Sequence, residues 1–366
     1  MESNLIDRRP KFSSTADFHT ELRRRVHLMM DQTGRRERDC PRMYLKTAVL
    51  FAALVGLYVL LVFYASTWWQ AVPLAILVGL ATASIGFNVQ HDGGHQAYSD
   101  RPWMNRMMAR TLDLVGGSSF YWHFKHGVFH HTYTNIAGQD DDVELGIYGR
   151  LTPHGRLRGF HRWQHLYLWP LYGFLAMKWH LFDDFKTFVQ GRIGSHRVPR
   201  PRGVDLAVFL GGKAIFLTWT MVIPLLLHPI GTVALFYAIA SLFLGLVLSV
   251  VFQLAHVVEE ADFPLPEPVD NRMANSWAVH QIETTVDFSR RSRIAAFLLG
   301  GLNFQVEHHL FPQICHVNYP AISPVVEQTC REFGVRYRAH DTFWDGVASH
   351  YRWLRRLGRP MAIQPG

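Results

Sequence analysis

Cysteine is scarce in this chain of 366 residues, which contains only Cys40, Cys315 and Cys330. No two of them form a C-x-x-C pair, so a disulfide framework, a zinc ribbon and a thiolate-bound iron–sulfur cluster are all disfavoured. The chain also lacks the H-E-x-x-H pattern of zinc proteases, any nicotinamide or flavin fingerprint, and any nucleic-acid motif. A redox reaction on this chain would therefore need electrons from another protein.

Charged side chains are absent from two long stretches, 47–91 and 214–258, which contain no Asp, Glu, Lys or Arg. A helix needs about 20 apolar residues to cross a bilayer core, so each stretch has room for two spans and a tight turn. The alternative, core helices of a soluble protein, is disfavoured because such helices are usually amphipathic rather than apolar all round. We predict an all-α integral membrane protein with four transmembrane helices in two hairpins, at about 47–66, 71–91, 206–227 and 231–256.

The Lys and Arg residues lie in three segments, 1–46, 92–213 and 259–366, which share one side of the membrane under this topology. The positive-inside rule makes that side the cytoplasm. The net charge of +8 is then better explained by anionic lipid headgroups than by nucleic acid. We divide the chain into a basic cytoplasmic or interfacial arm at 1–45, a membrane domain at 46–340 and a C-terminal cytoplasmic tail at 341–366.

Outside the spans we expect further helices and no cleaved signal peptide. Residues 1–42 are polar and charged without an apolar core segment, unlike a secretory signal. The aromatic-rich segment 161–190 suits interfacial helices at the level of the headgroups. Residues 271–304 should be largely helical, and a cytoplasmic cap of short helices at 320–334 and 341–358 should follow.

Histidine is abundant, with 21 copies, and its spacing is more informative than its number. Residues three to five positions apart on a helix lie near one face, so each of three groups can direct its imidazoles at one point. The groups lie near the ends of the uncharged stretches or in the loop that follows, and His256 ends the second stretch. They are His91 with His95, then His126 with His130 and His131, and finally Gln305 with His308 and His309.

These histidines indicate a metal site with two ions. Neutral imidazoles with few carboxylates do not favour calcium or magnesium, which prefer oxygen ligands. Eight histidines, counting His256, are too many for one zinc ion but fit two metal ions. Two irons able to activate dioxygen are the economical interpretation.

The sequence of these groups resembles a known family. The boxes HDGGH, HFKHGVFHHTYTN and NFQVEHHLFP, with QLAHVVE between the last two, closely resemble the membrane fatty-acid desaturases. The match is to the acyl-CoA or acyl-lipid group, whose third box starts with Gln, and it covers about 50–340. The resemblance implies a four-span membrane enzyme with a cytoplasmic cap and a non-haem diiron centre. Such enzymes use dioxygen and two electrons to remove two hydrogens from neighbouring carbons of an acyl chain.

The resemblance also implies roles for individual residues. Gln305 stands where other desaturases have a histidine, and it is open to three roles: weak iron binding, action through a water, or a hydrogen bond to a ligand. Ligating imidazoles usually donate their other N–H to a carboxylate or carbonyl, which makes four acidic residues candidates for that contact: Asp92, Asp140, Asp142 and Glu259. The expected iron ligands are His91, His95, His126, His130, His131, His256, His308 and His309.

The resemblance further implies partners and alternatives. The electron donor would be a ferredoxin, or a cytochrome b5 with its reductase, docking on the basic cytoplasmic face. We expect a narrow acyl tunnel lined by residues of 83–90, 111–122 and 245–252. A hydroxylase, an acetylenase or a decarboxylase on the same scaffold is the alternative among enzymes, although the Gln-type third box favours desaturation. A zinc-binding, receptor-like membrane protein is the alternative outside enzymes.

Overall fold

The computed structural model describes residues 9–14 and 17–360 and is predominantly helical. Four of its helices are long and apolar enough to cross a membrane, and each overlaps one of the four predicted spans. The principal helices are α1 (Asp17–Gln32), α2 (Pro41–Tyr64), α3 (Trp68–Gly94), α4 (Val204–Leu225), α5 (Ile230–His256), α6 (Trp277–Glu283), α7 (Gln305–Leu310), α8 (Tyr319–Glu332) and α9 (Phe343–Leu357).

Short helices and strands occupy the remaining segments. The short helices are Pro102–Ala109, Thr111–Leu114, Ser119–Trp122, His123–His130, His131–Tyr133, Asp141–Val143, Gly159–Trp163, Gln164–Tyr172, Leu175–Lys178, Trp179–Asp183, Asp184–Gln190, Arg293–Leu298 and His316–Asn318. The strands form three two-stranded sheets, β1 (Lys11–Ser13) parallel to β4 (Arg272–Ser276), β2 (Arg192–Ile193) antiparallel to β3 (His196–Arg197), and β5 (Asp287–Phe288) parallel to β6 (Ala339–His340). The prediction of an all-α chain is corrected by these strands. Residues 271–304 are accordingly less helical than predicted.

Helix α3 is the central membrane helix. Half of its apolar 18-residue stretch is buried inside the protein. The buried share of the corresponding stretch is 17% in α2, 22% in α4 and 33% in α5. Its Val78 packs with Leu54 of α2 and Ala240 of α5 in one apolar cluster. Close approach to α5 depends on Gly79, because a Cβ atom there would lie 2.3 Å from the carbonyl oxygen of Ala240. Small residues at such contacts let membrane helices pack backbone to backbone.

Two wide helical turns of the π type occur next to histidines. One, Gly86–Gln90, ends α3 directly before His91, and the other is the segment His123–His130. A π turn closes its hydrogen bonds from residue i to i+5, so residues four and five positions apart lie closest to one another. The spacing of His126 to His130 and His131 suits this geometry better than the α-helical turn that the sequence suggested.

The cap contains the described part of the predicted N-terminal arm. One apolar side of α1, formed by Phe18, Leu22, Val26 and Met30, is buried in a cluster with residues of α6, α7 and α8. This segment therefore packs on the protein instead of forming a free arm on the membrane. Residues 1–8, 15 and 16 of that prediction lie outside the described residues.

The predicted C-terminal tail is likewise part of the core. Helix α9 places Phe343 and Val347 against α5, and Trp353, Leu354 and Leu357 in a cluster with the segment that follows α5. The sequence predicted a short helix at 341–358, and in the structure that helix packs against α5. Residues 361–366 lie outside the described residues.

Replacing Gly79 by alanine should destabilise the protein, because the added methyl group forces α3 and α5 apart. We expect a loss of about 1–3 kcal/mol, typical of overpacking, and a lower melting temperature in detergent. Gly56 of α2 is the matched control, since a Cβ there meets no atom within 4 Å. Gly56→Ala should leave the melting temperature unchanged or raise it, because alanine favours helix by about 1 kcal/mol. A Gly79→Ala protein as stable as Gly56→Ala would contradict this packing.

Candidate metal centre

The structure brings together all eight predicted histidine ligands. They form overlapping groups in which one ligand atom from each residue lies within 4.8 Å of the others. The first group is His91, His95, His126 and His308, and the second is His130, His256 and His309. His131 joins the two, because it forms a third group with His308 and His309.

Five structural elements deliver these histidines. His91 and His256 lie at the ends of α3 and α5, and His95 follows one turn after His91. The wide turn His123–His130 carries the second box. Helix α7 is six residues long and entirely buried, so His308 and His309 are fixed by packing on every side. The centre therefore lies where the ends of the two most buried membrane helices meet the second box and α7.

Several buried ring nitrogens in this cluster have no hydrogen-bond partner. Such atoms occur on five of the clustered histidines. They are the Nε2 atoms of His95, His130, His308 and His309, and the Nδ1 atom of His131. In addition, His126 Nε2 lies 3.3 Å from the Nε2 atoms of both His91 and His131. Buried polar atoms without partners are rare in proteins because they cost free energy. Convergent imidazole nitrogens of this kind fit metal ions, which would satisfy all of them at once.

The opposite ring nitrogens are held by outer partners, as is usual for metal-binding histidines. His130 Nδ1 lies 2.9 Å from Asp140 Oδ2, and His309 Nδ1 lies 2.7 Å from Gln281 Oε1. The remaining contacts are longer, at 3.3 Å from His308 Nδ1 to the Tyr319 hydroxyl and 3.4 Å from His256 Nδ1 to the Thr284 carbonyl. These contacts orient each ring so that its free nitrogen points inward.

Burial sets the protonation state of the ligands. It lowers the pKa of His131, His308 and His309 well below the usual value, with a further contribution from the neighbouring histidines. These rings are therefore neutral, which is the form that binds metals. For His130, burial also lowers the pKa, but the charge and hydrogen bond of Asp140 outweigh it, so the pKa of His130 is raised.

Gln305 contacts a ligand directly. Its side-chain amide lies 2.9 Å from His256 Nε2, and both groups are buried. Of the three roles left open by the sequence, a hydrogen bond to a ligand is the one with an observed contact.

The four acidic candidates have different surroundings. Asp140 contacts His130, and Asp142 Oδ2 lies 3.8 Å from His126 Nδ1. Asp92 and Glu259 contact none of the eight histidines. Asp92 Oδ2 instead lies 2.9 Å from His316 Nδ1, whose Nε2 lies 2.9 Å from Lys46 Nζ.

Glu259 faces away from the centre and accepts a hydrogen bond of 2.6 Å from Arg352 Nε. The prediction that it supports a ligand is therefore corrected by the structure. Its position three residues after His256 suggested proximity, but the helix ends at His256 and the chain turns outward.

Sequence reasoning missed three outer partners, Gln281, Thr284 and Tyr319. Gln281 and Thr284 lie in the segment WAVHQIETTVDF, which also contains His280. In the structure His280 Nε2 contacts the Thr134 carbonyl at 2.9 Å, away from the inward nitrogens. No spacing rule pairs Gln281 with His309, because the contact depends on how α6 packs against α7.

A buried acidic pair supports α7 from behind. Asp287 Oδ1 accepts a hydrogen bond of 2.9 Å from the Val306 backbone N–H, and the Tyr337 hydroxyl oxygen lies 2.5 Å from Asp287 Oδ2 and 2.8 Å from Glu307 Oε1. Burial and the neighbouring Asp287 raise the pKa of Glu307 well above its usual value. A protonated Glu307 carries no charge next to the histidines that follow it.

Comparisons with known proteins show what this chain is similar to. The family model described as fatty acid desaturase matches residues 66–341. The chain is 38% identical over 348 residues to the sn-1 linoleoyl-lipid 6-desaturase of Arthrospira platensis, which covers 94% of each protein. It is 35% identical over 356 residues to the enzyme of the same name from Synechocystis sp., covering 97% of this chain and 99% of that one. An acyl-lipid (8-3)-desaturase of Physcomitrium patens is 36% identical over 346 residues, which cover 93% of this chain and 72% of that protein.

Replacing Gln281 by leucine should weaken metal binding, because His309 Nδ1 loses the oxygen that orients its ring. Loss of such a partner typically costs about 10–100-fold in metal affinity or activity. The measurement is bound metal per chain after dialysis against a graded series of chelator concentrations. Gln313→Leu is the control, since Gln313 is exposed just beyond the third box. Equal metal retention in the two variants would contradict the role of Gln281.

Proposed function

Because the chain belongs to the fatty acid desaturase family and is therefore an oxidoreductase, we propose that it introduces a double bond into an acyl chain of a membrane lipid. The proposed cofactor is a pair of non-haem irons. The observation that carries this proposal is the pair of adjoining histidine groups with unpartnered inward nitrogens.

The ligand set supports two irons. One would be held by the group containing His91 and the other by the group containing His256, with His131 between them. When bound, the irons supply the reductive activation of dioxygen. The protein's contribution is to keep the imidazoles neutral, to fix their rings through outer partners, and to exclude water from the site.

The topology gives an acyl chain access to this centre. We propose that α2 with α3 and α4 with α5 form two membrane hairpins, with the cap and the centre on the cytoplasmic side. The short α2–α3 and α4–α5 connections and the positive-inside distribution of Lys and Arg support this arrangement. Since His91 and His256 end membrane helices, the centre would lie at the depth where acyl chains meet the headgroup region.

The proposed reaction is R–CH2–CH2–R′ + O2 + 2 e⁻ + 2 H⁺ → R–CH=CH–R′ + 2 H2O. The two carbons are oxidised, and dioxygen is reduced to water by their two electrons and two more from an external donor. The names of the relatives in Arthrospira and Synechocystis, which specify a linoleoyl-lipid, support an acyl-lipid as the substrate class.

The relatives' names also bear on the alternatives. They are desaturases, which favours desaturation over hydroxylation, acetylenation or decarboxylation on the same scaffold. Membership of an enzyme family counts against the zinc-binding receptor.

His308→Ala should abolish desaturation and lower bound iron, because His308 belongs to two of the overlapping groups. Cells expressing the protein would be assayed for new double bonds by gas chromatography–mass spectrometry, and the purified protein for iron. His123→Ala is the matched control, since His123 is exposed in the same wide turn as the second box. It should keep both activity and iron. Full activity with normal iron in His308→Ala would contradict the ligand role.

Electrons would come from a ferredoxin, or from cytochrome b5 with its reductase, docking on the basic cytoplasmic face. Turnover should therefore fall as ionic strength rises from about 0.01 M to about 1 M, over which the Debye length shrinks from about 30 Å to about 3 Å. A single turnover of chemically reduced enzyme is the control and should be insensitive to salt. Donor-dependent turnover that is equally insensitive would argue against electrostatic docking.

A further inference from the structure

An apolar groove of about 890 Å³ lies between α5 and α9. Leu246, Val247, Val250 and Val251 form its α5 wall, and residues 343–352 of α9 form the opposite wall. This volume lies within the range of about 300–1,000 Å³ that is usual for ligand sites. Of the three segments predicted to line an acyl tunnel, only 245–252 contributes to this groove.

The groove is separate from the metal centre. At 3.6 residues per turn, its α5 residues point roughly 80° to 180° around the helix axis from His256. Phe252, by contrast, stacks near the His256 ring, with a centroid distance of 4.7 Å. An occupant of the groove would therefore lie behind α5, and it would not be the acyl chain that reacts.

The rim of the groove is apolar and exposed, which suits contact with a bilayer. Trp344, in its wall, is 73% exposed, and Ala348 in the same wall is also exposed. Exposed apolar patches of this kind mark membrane or protein contacts. Since α5 is one of the four helices suited to cross a membrane, a bilayer around α5 would place lipid at this wall.

Arginines lie at one end of the groove. Arg352 lines it, and Arg355 and Arg356 follow at i+3 and i+4, so the three share one side of α9. Of these three arginines, only Arg352 forms an ion pair with Glu259, through the Nε atom of the arginine. Among the described residues no carboxylate lies within ion-pair distance of Arg355 or Arg356. Guanidinium groups bind phosphate oxygens through paired hydrogen bonds.

We propose that this groove binds one acyl chain of an anionic membrane lipid, whose phosphate contacts Arg352 and the two arginines that follow it. The apolar walls accept the chain, and the arginines select the charge of the headgroup. The proposal needs α5 to lie in a membrane, but it is independent of the chemistry at the histidines.

Lipid in this groove would act on the metal centre through α9. His350 Nδ1 donates a hydrogen bond of 2.6 Å to the Val257 carbonyl, and Ser349 Oγ accepts one of 3.0 Å from the Glu259 backbone N–H. Both contacts hold the chain directly after His256. A lipid that fixes α9 against α5 therefore stabilises the position of that ligand.

Photocrosslinking tests the site. The full chain is placed in phosphatidylcholine nanodiscs with a trace of phosphatidylglycerol carrying a diazirine on one acyl chain, and the labelled peptides are identified by mass spectrometry. Labels should concentrate on 246–251 and 343–352. The Arg352→Gln, Arg355→Gln protein should lose labelling by about tenfold or more, the effect of losing a charge-assisted hydrogen bond. Arg202→Gln, at another exposed arginine, should label normally.

Ala348→Trp tests the groove itself, because Ala348 is exposed and its larger replacement would fill the space. Labelling of the groove should fall, whereas Leu235→Trp, on the exposed side of the same α5, should not change it. If Ala348→Trp lowers the melting temperature, Ala348→Leu replaces it. Labelling that is unaffected by Ala348→Trp and by Ala348→Leu would overturn the proposal that the lipid binds in this groove. Equal labelling by a phosphatidylcholine probe would overturn the preference for an anionic headgroup. Protection of the groove from labelling by a bound protein would overturn a lipid as its occupant.

Discussion

The structure depends on one costly arrangement, the burial of eight imidazoles, five of which have a ring nitrogen without a protein partner. Each such nitrogen costs free energy, since folding removes it from water without a replacement hydrogen bond. Metal ions remove that cost by accepting the lone pairs, and binding then stabilises the folded state. The inward nitrogens belong to the histidines of two adjoining groups, His91, His95, His126, His130, His131, His256, His308 and His309. Much of the surrounding fold keeps these rings buried and oriented.

Three kinds of support meet at this point. The Gly79 contact brings α3 and α5 together, and their final turns present His91 and His256 to two adjoining histidine groups. The wide turn of the second box places its histidines between them. The cap then covers the centre with α7, which is fixed from behind by the Asp287 and Glu307 pair. Helix α9 extends this support, because it holds the chain just beyond His256 and also forms one wall of the apolar groove.

Local patterns made the fold and the ligands predictable, whereas contacts between distant segments did not follow from the sequence. Uncharged length predicted the four apolar helices, and histidine spacing predicted the eight histidines that the structure brings together, since both depend on neighbouring residues. The strand at Arg272–Ser276 was missed because it pairs with β1, far away in the chain. Gln281 was missed because it meets His309 only through the packing of α6 on α7. Glu259 was misplaced because nearness in sequence to His256 does not fix the direction of the chain after the helix.

The most direct test of the central claim is anomalous X-ray diffraction at the iron absorption edge, from crystals of protein produced with iron. The account predicts two anomalous peaks within the histidine cluster. One should lie among the nitrogens of the group containing His91, and the other among those containing His256. A single peak, or a peak at the buried Asp92, Cys315 and His316 cluster in place of either, would contradict it.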